Sequence, residues 1–257
     1  MKAVILAGGL GTRLSEETSI LPKPLVEIGG KPILWHIMKI YSAYGVNDFI
    51  ICLGHKGYLF KEYFASYALR MSDVTVDTRK GSVEYHNEVP ERWRVTLVDT
   101  GANSGTGGRL KRVLPLLADE EAFHFTYGDG LAALDIRKLE EFHKSHYCLG
   151  TVTATRPPKR FGLMKLDGHL VTAFEEKPDL DGGWVNGGFF VLSPKVGPFI
   201  DDDQTYWEAA PIREMVSQGQ LQAYIHSGFW HPMDTIRDRE TLENYWMSES
   251  PPWKVWD

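Results

Sequence analysis

The chain has 257 residues, of which 43% are hydrophobic and 24% charged, and its net charge is −6. This length is ample for the core of a large α/β domain, and the acidic balance argues against nucleic acid as the main partner. The two cysteines, Cys52 and Cys148, allow neither a disulfide framework nor a CxxC metal motif. The apolar stretches are too short for a membrane span or a signal peptide. We therefore expect a protein of the reducing cytoplasm.

The first half of the chain alternates strand and helix signals. AVIL at 3–6 and DFIICL at 48–53 predict buried strands, because both faces of each are apolar. Between them, a helix is predicted over 31–44, with Pro32 in its first turn. The further predicted elements are a helix over 58–70, strands RVTLVDT (94–100) and AFHFTYGDG (122–130), a helix from about Gly107, and a helix capped by Asp135. This alternation indicates a mostly parallel sheet with helices on both sides.

The second half is richer in strands, separated by glycine and proline turns. The predicted strands are TVTATRP (151–157), GLMKLD (162–167), HLVTAFEEKP (169–178) and NGGFFVLSP (186–194), and the predicted helices cover 207–218 and 236–247. No linker-like segment separates the two halves. We therefore predict one domain over 1–257, with lobes of about 1–134 and 135–257 and a cleft between them.

The stretch LAGGLGTRLSEETSILPKPL, residues 6–25, follows the first predicted strand. Glycine-rich turns at such positions commonly bind phosphate, because backbone N–H groups can approach the oxygens without a Cβ in the way. The stretch is not a dinucleotide-binding fingerprint, since Leu14 stands where the third glycine would be, and it is not a P-loop, since no Gly-Lys pair follows. Its own pattern is G-G-x-G-T-R-L followed by P-K-P.

Five motifs in order resemble the sugar-phosphate nucleotidylyltransferases, over nearly the whole chain. They are the glycine-rich stretch, TYGDG (126–130), FEEKP (174–178), VNGGFFVL (185–192) and GFWHPMDT (228–235). The resemblance implies transfer of a nucleotidyl group from a nucleoside triphosphate to a sugar 1-phosphate, with release of pyrophosphate. It also implies the nucleotide-diphospho-sugar transferase fold, an α/β fold with a Rossmann-like mixed, mostly parallel sheet flanked by helices. The first lobe would bind the nucleotide, and the smaller β-rich lobe the sugar.

Within the family, three segments are similar to the branch that uses CTP and glucose 1-phosphate. They are TYGDG, TGGRLKR (106–112) and PPWKVWD (251–257). The resemblance implies CDP-glucose as product, for deoxysugars and surface polysaccharides such as the O-antigen of lipopolysaccharide. It further implies a homo-oligomer such as a hexamer. The aromatic segment at 244–257 predicts either a subunit contact or packing onto the chain's own lobe.

The predicted catalytic residues are Arg13, Lys23 and Asp129. We expect Arg13 to bind the β- and γ-phosphates and Lys23 the α-phosphate. Asp129 follows a buried strand at its carboxyl end, where ligands collect in open α/β sheets, and suits Mg²⁺. The resemblance adds Asp234 as a second Mg²⁺ ligand, although this residue could equally cap the last helix. The sugar phosphate is already anionic, so catalysis needs positioning and charge stabilisation and no general base.

The rest of the predicted nucleotide site lies in the glycine-rich loop and in the segment TGANSGTGGR, residues 100–109. Ser104 and Arg109 can donate to cytosine O2 and N3, and loop carbonyls can accept from the exocyclic amine, which uracil lacks. The remaining predicted nucleotide-binding residues are Leu6, Ala7, Gly8, Gly9, Leu10, Gly11, Thr12 and Gly128.

The predicted sugar-phosphate site is drawn from the second half of the chain. Lys177 would bind the phosphate and Glu176 a hydroxyl group, although EEK is often a solvated surface and NGG often a simple hairpin turn. The full set is Gly162, Glu176, Lys177, Asn186, Gly187, Gly188 and Trp230, with Gly162 assigned through the resemblance.

Three other functions remain open on these residues. The same fold could use UTP, dTTP or another hexose, or the chain could be a non-catalytic nucleotide-sugar-binding subunit. A glycosyltransferase is disfavoured by the intact GTR and PKP motifs. The triplet Asp201, Asp202 and Asp203 resembles a glycosyltransferase DxD motif, but its place before a predicted helix favours an acidic loop with a capping role.

Overall fold

The computed structural model describes residues 1–9, 21–87, 89–156, 163–175 and 183–256. The strands are β1 (Ala3–Leu6), β2 (Glu27–Ile28), β3 (Lys31–Pro32), β4 (Asp48–Leu53), β5 (Val74–Asp77), β6 (Ser82–Tyr85), β7 (Arg94–Asp99), β8 (Phe123–Tyr127), β9 (Gly130–Ala132), β10 (Gly150–Thr155), β11 (Leu163–Asp167), β12 (Leu170–Glu175), β13 (Val185–Leu192), β14 (Leu221–Ile225) and β15 (Trp230–Pro232). The α-helices are α1 (Ile33–Ser42), α2 (Gly57–Ala65), α3 (Tyr67–Met71), α4 (Thr106–Val113), α5 (Ile136–Lys144), α6 (Ala210–Ser217) and α7 (Ile236–Trp246).

Nine of these strands form one mixed sheet in the order β11-β12-β14-β10-β13-β8-β1-β4-β7. Strand β1 is parallel to β4 and to β8, and β4 is parallel to β7, so the first half supplies a parallel block. Strand β13 is antiparallel to β8 on one side and to β10 on the other. The antiparallel β13 therefore joins the strands of the two halves, and the sheet is mixed, as expected for the predicted fold class.

The sheet is buried on both faces, which explains why β1 is apolar throughout and β4 is apolar from Phe49 onward. Successive side chains of a strand point to opposite faces. In β1, Ala3 and Ile5 belong to one core cluster, and Val4 and Leu6 belong to a second cluster on the other face. Helices α1 and α5 contribute to the first cluster, and α4 and α6 to the second. The layers are thus helix, sheet and helix, as the alternating sequence signals predict.

The helices differ from the predictions mainly at their boundaries. Residues 31–32 do not begin a helix, because Pro32 is in an extended conformation and Lys31–Pro32 pairs with Glu27–Ile28. The helix predicted over 58–70 is divided into α2 and α3 at Ser66. Asp135 caps α5 as predicted, and its side chain accepts hydrogen bonds from the N–H groups of Arg137 and Lys138.

Several strands were not predicted, and they are short or polar. Strands β9 and β15 have three residues each and pair with one another. The β5–β6 hairpin is largely exposed, and although VTVD and SVEY alternate apolar and polar residues, each strand has only four residues. Strand β14 lies inside the main sheet, between β12 and β10.

The C-terminal segment packs onto the chain's own first half. Trp253 is fully buried, its indole stacks on that of Trp246, and its Nε1 donates to Nδ1 of His36 at 3.3 Å. Of the two predicted roles for this segment, the structure shows packing within the same chain, and the partners include His36 and Trp35 of the first lobe as well as Phe229 of the segment's own lobe. Among the described residues, no helix combines the length and hydrophobicity needed to span a membrane.

Candidate active site

A cavity of about 530 Å³ opens at the carboxyl ends of β1 and β8. Ligand sites of open α/β sheets lie at this edge, so the cavity is where the fold predicts one. The predicted nucleotide-site residues that line it are Leu6, Ala7, Gly8, Gly9, Lys23, Ser104, Arg109, Gly128 and Asp129. It is also lined by Pro24, Ala102, Asn103, Thr106, Tyr127 and Tyr206, which were not assigned from the sequence.

Lys23 lines the cavity and lies between the two predicted metal ligands. Its Nζ is 2.7 Å from Oδ2 of Asp129 and 2.7 Å from Oδ1 of Asp234. These carboxylates are separated by more than 100 residues, and the β9–β15 pair brings them together. In that pair Gly130 is opposite Pro232, and the N–H of Met233 donates to the carbonyl of Asp129 at 2.8 Å. Strand pairing therefore assembles a cation and two acids at a single point.

The ion pairs also set the ionisation of Lys23. Burial acts to lower the pKa of its ammonium, but attraction to Asp129 and Asp234 and hydrogen bonds to both outweigh burial, so the pKa is raised above its usual value. The group is therefore a cation throughout the physiological range. Asp234 does not cap α7, because Thr235 and Asp238 form the capping box of that helix. The Asp234 carboxylate is thus left to face Lys23.

The two carboxylates fit a magnesium ion. Mg²⁺ prefers hard oxygen ligands and is commonly held by one or two carboxylates together with waters and substrate phosphates. In the part of the chain that the structure describes, no group of three His, Cys, Asp or Glu side chains is arranged to hold a metal. An ion at Asp129 and Asp234 would therefore take further ligands from a substrate or from water.

Arg109 lines the cavity, but its guanidinium is turned into the protein. The residue is 4% exposed. Its Nη1 donates to the carbonyls of Leu53 and Gly101 and to Oγ1 of Thr100, at 2.7–3.0 Å. Its Nη2 donates to the carbonyls of Gly8, at 2.9 Å, and Ala102, at 3.2 Å. The terminal nitrogens that were predicted to read a base thus hold the loops after β1, β4 and β7 together.

The buried guanidinium explains two of the glycines around it. A Cβ on Gly8 would lie 2.2 Å from Nη1 of Arg109, and a Cβ on Gly54 would lie 2.6 Å from the same atom. Both distances are far inside van der Waals contact. The glycine-rich turn therefore needs glycine at residue 8 to admit Arg109, in addition to any contact with a phosphate.

The described residues of the predicted sugar site lie beside the cavity. Nδ2 of Asn186 is 3.5 Å from the hydroxyl of Tyr127, which lines the cavity. Oδ1 of Asn186 accepts from the N–H of Gly188 at 2.8 Å. Trp230 donates from Nε1 to the carbonyl of Gly187 at 2.6 Å. Gly188 has φ +81°, a conformation that favours glycine. These contacts link Asn186 to Tyr127, Asn186 to Gly188, and Trp230 to Gly187, so the four residues lie next to a residue that lines the cavity.

A hydrogen-bonded link that sequence reasoning missed connects the start of α4 with the end of β8. Glu208 accepts from the hydroxyl of Tyr127 at 2.5 Å and from Oγ1 of Thr106 at 2.6 Å. Thr106 begins α4, directly after the predicted base-reading loop, and Tyr127 lies two residues before Asp129, a predicted metal ligand. The position of Tyr127 in TYGDG was a usable signal, whereas nothing in the sequence around Glu208 pointed to the site.

The acidic triplet 201–203 contacts α4. Among the described residues, none of its contacts is with Asp129 or Asp234. Asp203 forms an ion pair with Arg112, and its carbonyl accepts from the N–H of Gly105. Other predicted site residues fall outside the described ranges. These are Leu10, Gly11, Thr12, Arg13, Gly162, Glu176 and Lys177.

Comparison with known protein families gives a match over most of the chain. The family model described as "Nucleotidyl transferase" matches residues 2–247. The glucose-1-phosphate cytidylyltransferase of Salmonella typhi is 58% identical over 257 residues, which cover the whole of both chains. The probable glucose-1-phosphate cytidylyltransferase of Bacillus subtilis (strain 168) is 43% identical over the same span, again the whole of both chains.

Solved structures share the fold at lower identity. HddC from Yersinia pseudotuberculosis is 24% identical, with a TM-score of 0.76, and the match covers 95% of this chain and 99% of that one. A putative glucose-1-phosphate thymidylyltransferase from Bacillus anthracis is 19% identical, with a TM-score of 0.75 and coverage of 95% and 94%. These similarities confirm the predicted fold class.

Proposed function

Since the chain belongs to the nucleotidyl transferase family, we propose that it transfers a cytidylyl group from CTP to α-D-glucose 1-phosphate. The products are CDP-glucose and pyrophosphate. Relatives named for this reaction match the chain from end to end, at 58% and 43% identity. The proposed product would feed the synthesis of deoxysugars and surface polysaccharides, and the protein would act in the cytoplasm.

The position of Lys23 is the structural observation that carries the proposal. One ammonium lies between two carboxylates, in a cavity that Gly8 and Gly9 also line. Backbone N–H groups and a lysine suit a polyanionic phosphate chain, and the paired carboxylates suit its counter-ion. A nucleoside triphosphate supplies both the phosphate chain and the bound counter-ion, so it fits the backbone N–H groups, the lysine and the carboxylates.

In the proposed reaction, an oxygen of the sugar phosphate attacks the α-phosphorus of CTP. The new P–O bond forms in line with the bond that breaks, and pyrophosphate leaves with the electron pair. Lys23 stabilises the negative charge on the α-phosphate, and Arg13 binds the leaving pyrophosphate. Mg²⁺ held by Asp129 and Asp234 would neutralise phosphate charge when bound. The backbone from Gly8 to Thr12 orients the triphosphate.

The substrates are selected on two sides of the cavity. Ser104 and the carbonyls of its loop are proposed to read cytosine, and Arg109 is proposed to fix the shape of that loop through its carbonyl contacts. The sugar phosphate is proposed to bind near Tyr127 and Glu208. The residues proposed for it are Gly162, Glu176, Lys177, Asn186, Gly187, Gly188 and Trp230.

A nucleotide panel tests the proposed function. Pyrophosphate release is measured with glucose 1-phosphate and each of CTP, UTP, dTTP and GTP, with and without Mg²⁺. We expect CTP to be preferred by at least about tenfold in kcat/KM, and activity to depend on Mg²⁺. Lys23→Met should lower kcat by about 10²–10³-fold, the usual cost of one transition-state charge contact. Lys61→Met, on the exposed face of α2, is the matched control and should retain wild-type kcat.

The other outcomes of this panel are equally specific. A preference for UTP or dTTP, or turnover only with another hexose 1-phosphate, would replace the proposed substrates and keep the reaction. Nucleotide binding without pyrophosphate release from any of the four would favour a non-catalytic binding subunit.

We also propose that the protein forms a homo-oligomer such as a hexamer, with the β5–β6 hairpin in the contact. Val76 and Val83 face each other across this ribbon and are both exposed, as is Tyr85. A two-stranded ribbon is marginally stable in water, so cover from a second copy of the chain would stabilise it. Light scattering should give a mass several times that of the 29.1 kDa chain. Replacing both valines by lysine should lower it, and a monomeric wild type would refute the proposal.

A further inference from the structure

The cavity has an aromatic wall that the transfer chemistry does not use. Tyr206 lines it, and 63% of this residue is exposed. We propose that the ring of Tyr206 is a stacking surface for the base of the bound nucleotide. This inference rests on the proposed function, because it takes the ligand of the cavity to be a nucleoside triphosphate.

The backbone places Tyr206 at the end of the cavity that holds the predicted base-reading loop. The N–H of Gly108 donates to the carbonyl of Thr205, and the N–H of Trp207 donates to Oγ1 of Thr106 at 2.8 Å. Both chain neighbours of Tyr206 are thus bonded to the first turn of α4. Ser104 lies immediately before that turn and also lines the cavity. Lys23 and Gly8, which are proposed to contact the phosphates, line the same cavity.

The burial of the next residue turns the tyrosine outward. Trp207 is fully buried in the second core cluster, where its ring contacts those of Phe125 and Phe190 at centroid distances of 5.8 and 6.2 Å. Trp207 anchors the segment to the core, and Tyr206 presents its ring to the cavity. A flat base laid on the phenol ring would remove apolar surface of both from water.

The segment that carries Tyr206 is held in place before any ligand binds. The Asp202 carboxylate accepts from the N–H of Gln204 at 2.9 Å and from Oγ1 of Thr205 at 3.0 Å. Asp203 pairs with Arg112 of α4, and Nζ of Lys111 donates to the carbonyl of Ile200 at 2.6 Å. A ring on a pre-organised segment loses less conformational freedom on binding, so more of the stacking energy appears as affinity.

Stacking and base selection make separate demands on the site. Every base has a π face, so an aromatic platform strengthens the binding of all nucleotides without choosing among them. Hydrogen bonds from the loop around Ser104 are left to choose the base. Loss of the Tyr206 ring should therefore weaken the binding of cytosine and uracil nucleotides by the same factor.

The test measures nucleotide binding and kinetics in the full-length protein. CMP and UMP are titrated by calorimetry into wild type, Tyr206→Ala and Tyr206→Phe, and KM and kcat are measured with CTP. We expect Tyr206→Ala to weaken the binding of both monophosphates about tenfold and to raise KM for CTP by a similar factor. We expect kcat to stay within about threefold of wild type. Tyr206→Phe keeps the ring and should bind within about twofold of wild type. Tyr147→Ala, at a fully exposed tyrosine outside the cavity lining, is the control.

Three results would overturn the inference. The first is wild-type affinity in Tyr206→Ala, and the second is a loss in Tyr206→Phe as large as in Tyr206→Ala, which would assign the effect to the hydroxyl. The third is a wild type that binds no nucleotide. The proposed function fails separately, when wild type binds nucleotides but releases no pyrophosphate, and the Tyr206 inference is then decided by the binding data. Because the side chain is exposed, unfolding midpoints should match wild type and confirm that the variants are folded.

Discussion

Arg109 is a buried cation with five oxygen partners, four of them main-chain carbonyls. Burial lowers the pKa of its guanidinium, and the hydrogen bonds offset the cost of placing the charge inside the protein. The residue ties the glycine-rich turn to the loop proposed to read the base. A sequence motif shows that an arginine follows two glycines, but it does not show which way the side chain points. The predicted role of Arg109 therefore depended on information that only the fold supplies.

Arg109→Ala should lower the free energy of unfolding by about 3 kcal/mol, because buried carbonyls at the ends of three loops lose their donors. Arg109→Lys should recover part of this loss, since an ammonium offers at most three donors to five acceptors. Urea unfolding measures both effects. The control is Arg112→Ala on the same helix, whose ion pair with Asp203 is exposed, so its loss should lower the free energy of unfolding far less than the loss of Arg109 does. Equal losses at the two arginines would contradict the structural role of Arg109.

At the scale of elements, the long apolar strands and the capped helix α5 could be predicted from periodicity and capping residues. The β9–β15 pair could not, because three-residue strands carry too little pattern. This pair nevertheless brings Asp129 and Asp234 to Lys23, so the sequence singled out three residues that lie together in the fold without showing how they meet. The segment 201–208 is similar, since several of its contacts with α4 use main-chain atoms, such as the Thr205 carbonyl that accepts from the N–H of Gly108.

Glu208→Ala should loosen the link between α4 and β8, because Tyr127 and Thr106 both lose their acceptor. We expect unfolding free energy to fall by about 1–3 kcal/mol and kcat/KM for CTP to fall by about tenfold. Glu208→Gln keeps one side-chain acceptor, so its unfolding free energy and its kcat/KM should lie between those of Glu208→Ala and wild type. Steady-state kinetics and urea unfolding measure these effects. Glu214→Ala, exposed on α6, should change neither quantity, and an equal loss there would remove the special role of Glu208.

At the scale of the whole molecule, burial of histidines links stability to pH. Burial lowers the pKa of His36 and of His143 to about 4, and burial lowers the pKa of His124 as well. The folded state thus favours neutral imidazoles, whereas the unfolded chain takes up protons near pH 6.5. Their contribution to stability is fully present above about pH 7 and is lost as the pH falls from about 6.5 to 4.

Unfolding free energy, measured in urea between pH 7.5 and pH 5, should therefore decrease by a few kcal/mol, on the order of 1.4 kcal/mol per pH unit for each histidine. His143→Gln should flatten this dependence, because glutamine can still contact Thr151 but does not titrate. His86→Gln, at an exposed histidine directly after β6, is the control variant. A stability that is constant over this range would show that the buried histidines do not behave as described.

The continuous hydrogen-bonding of β8, β13 and β10 has a consequence for how the two substrates could meet. It supports the proposal that residues 1–257 form one domain, since a ladder crossing from one lobe to the other leaves no hinge at their junction. The base of the cleft then behaves as a fixed platform. The sugar phosphate would then reach the α-phosphorus through movement of the loops above this platform and of the substrates themselves. Neither half of the chain would need to rotate against the other.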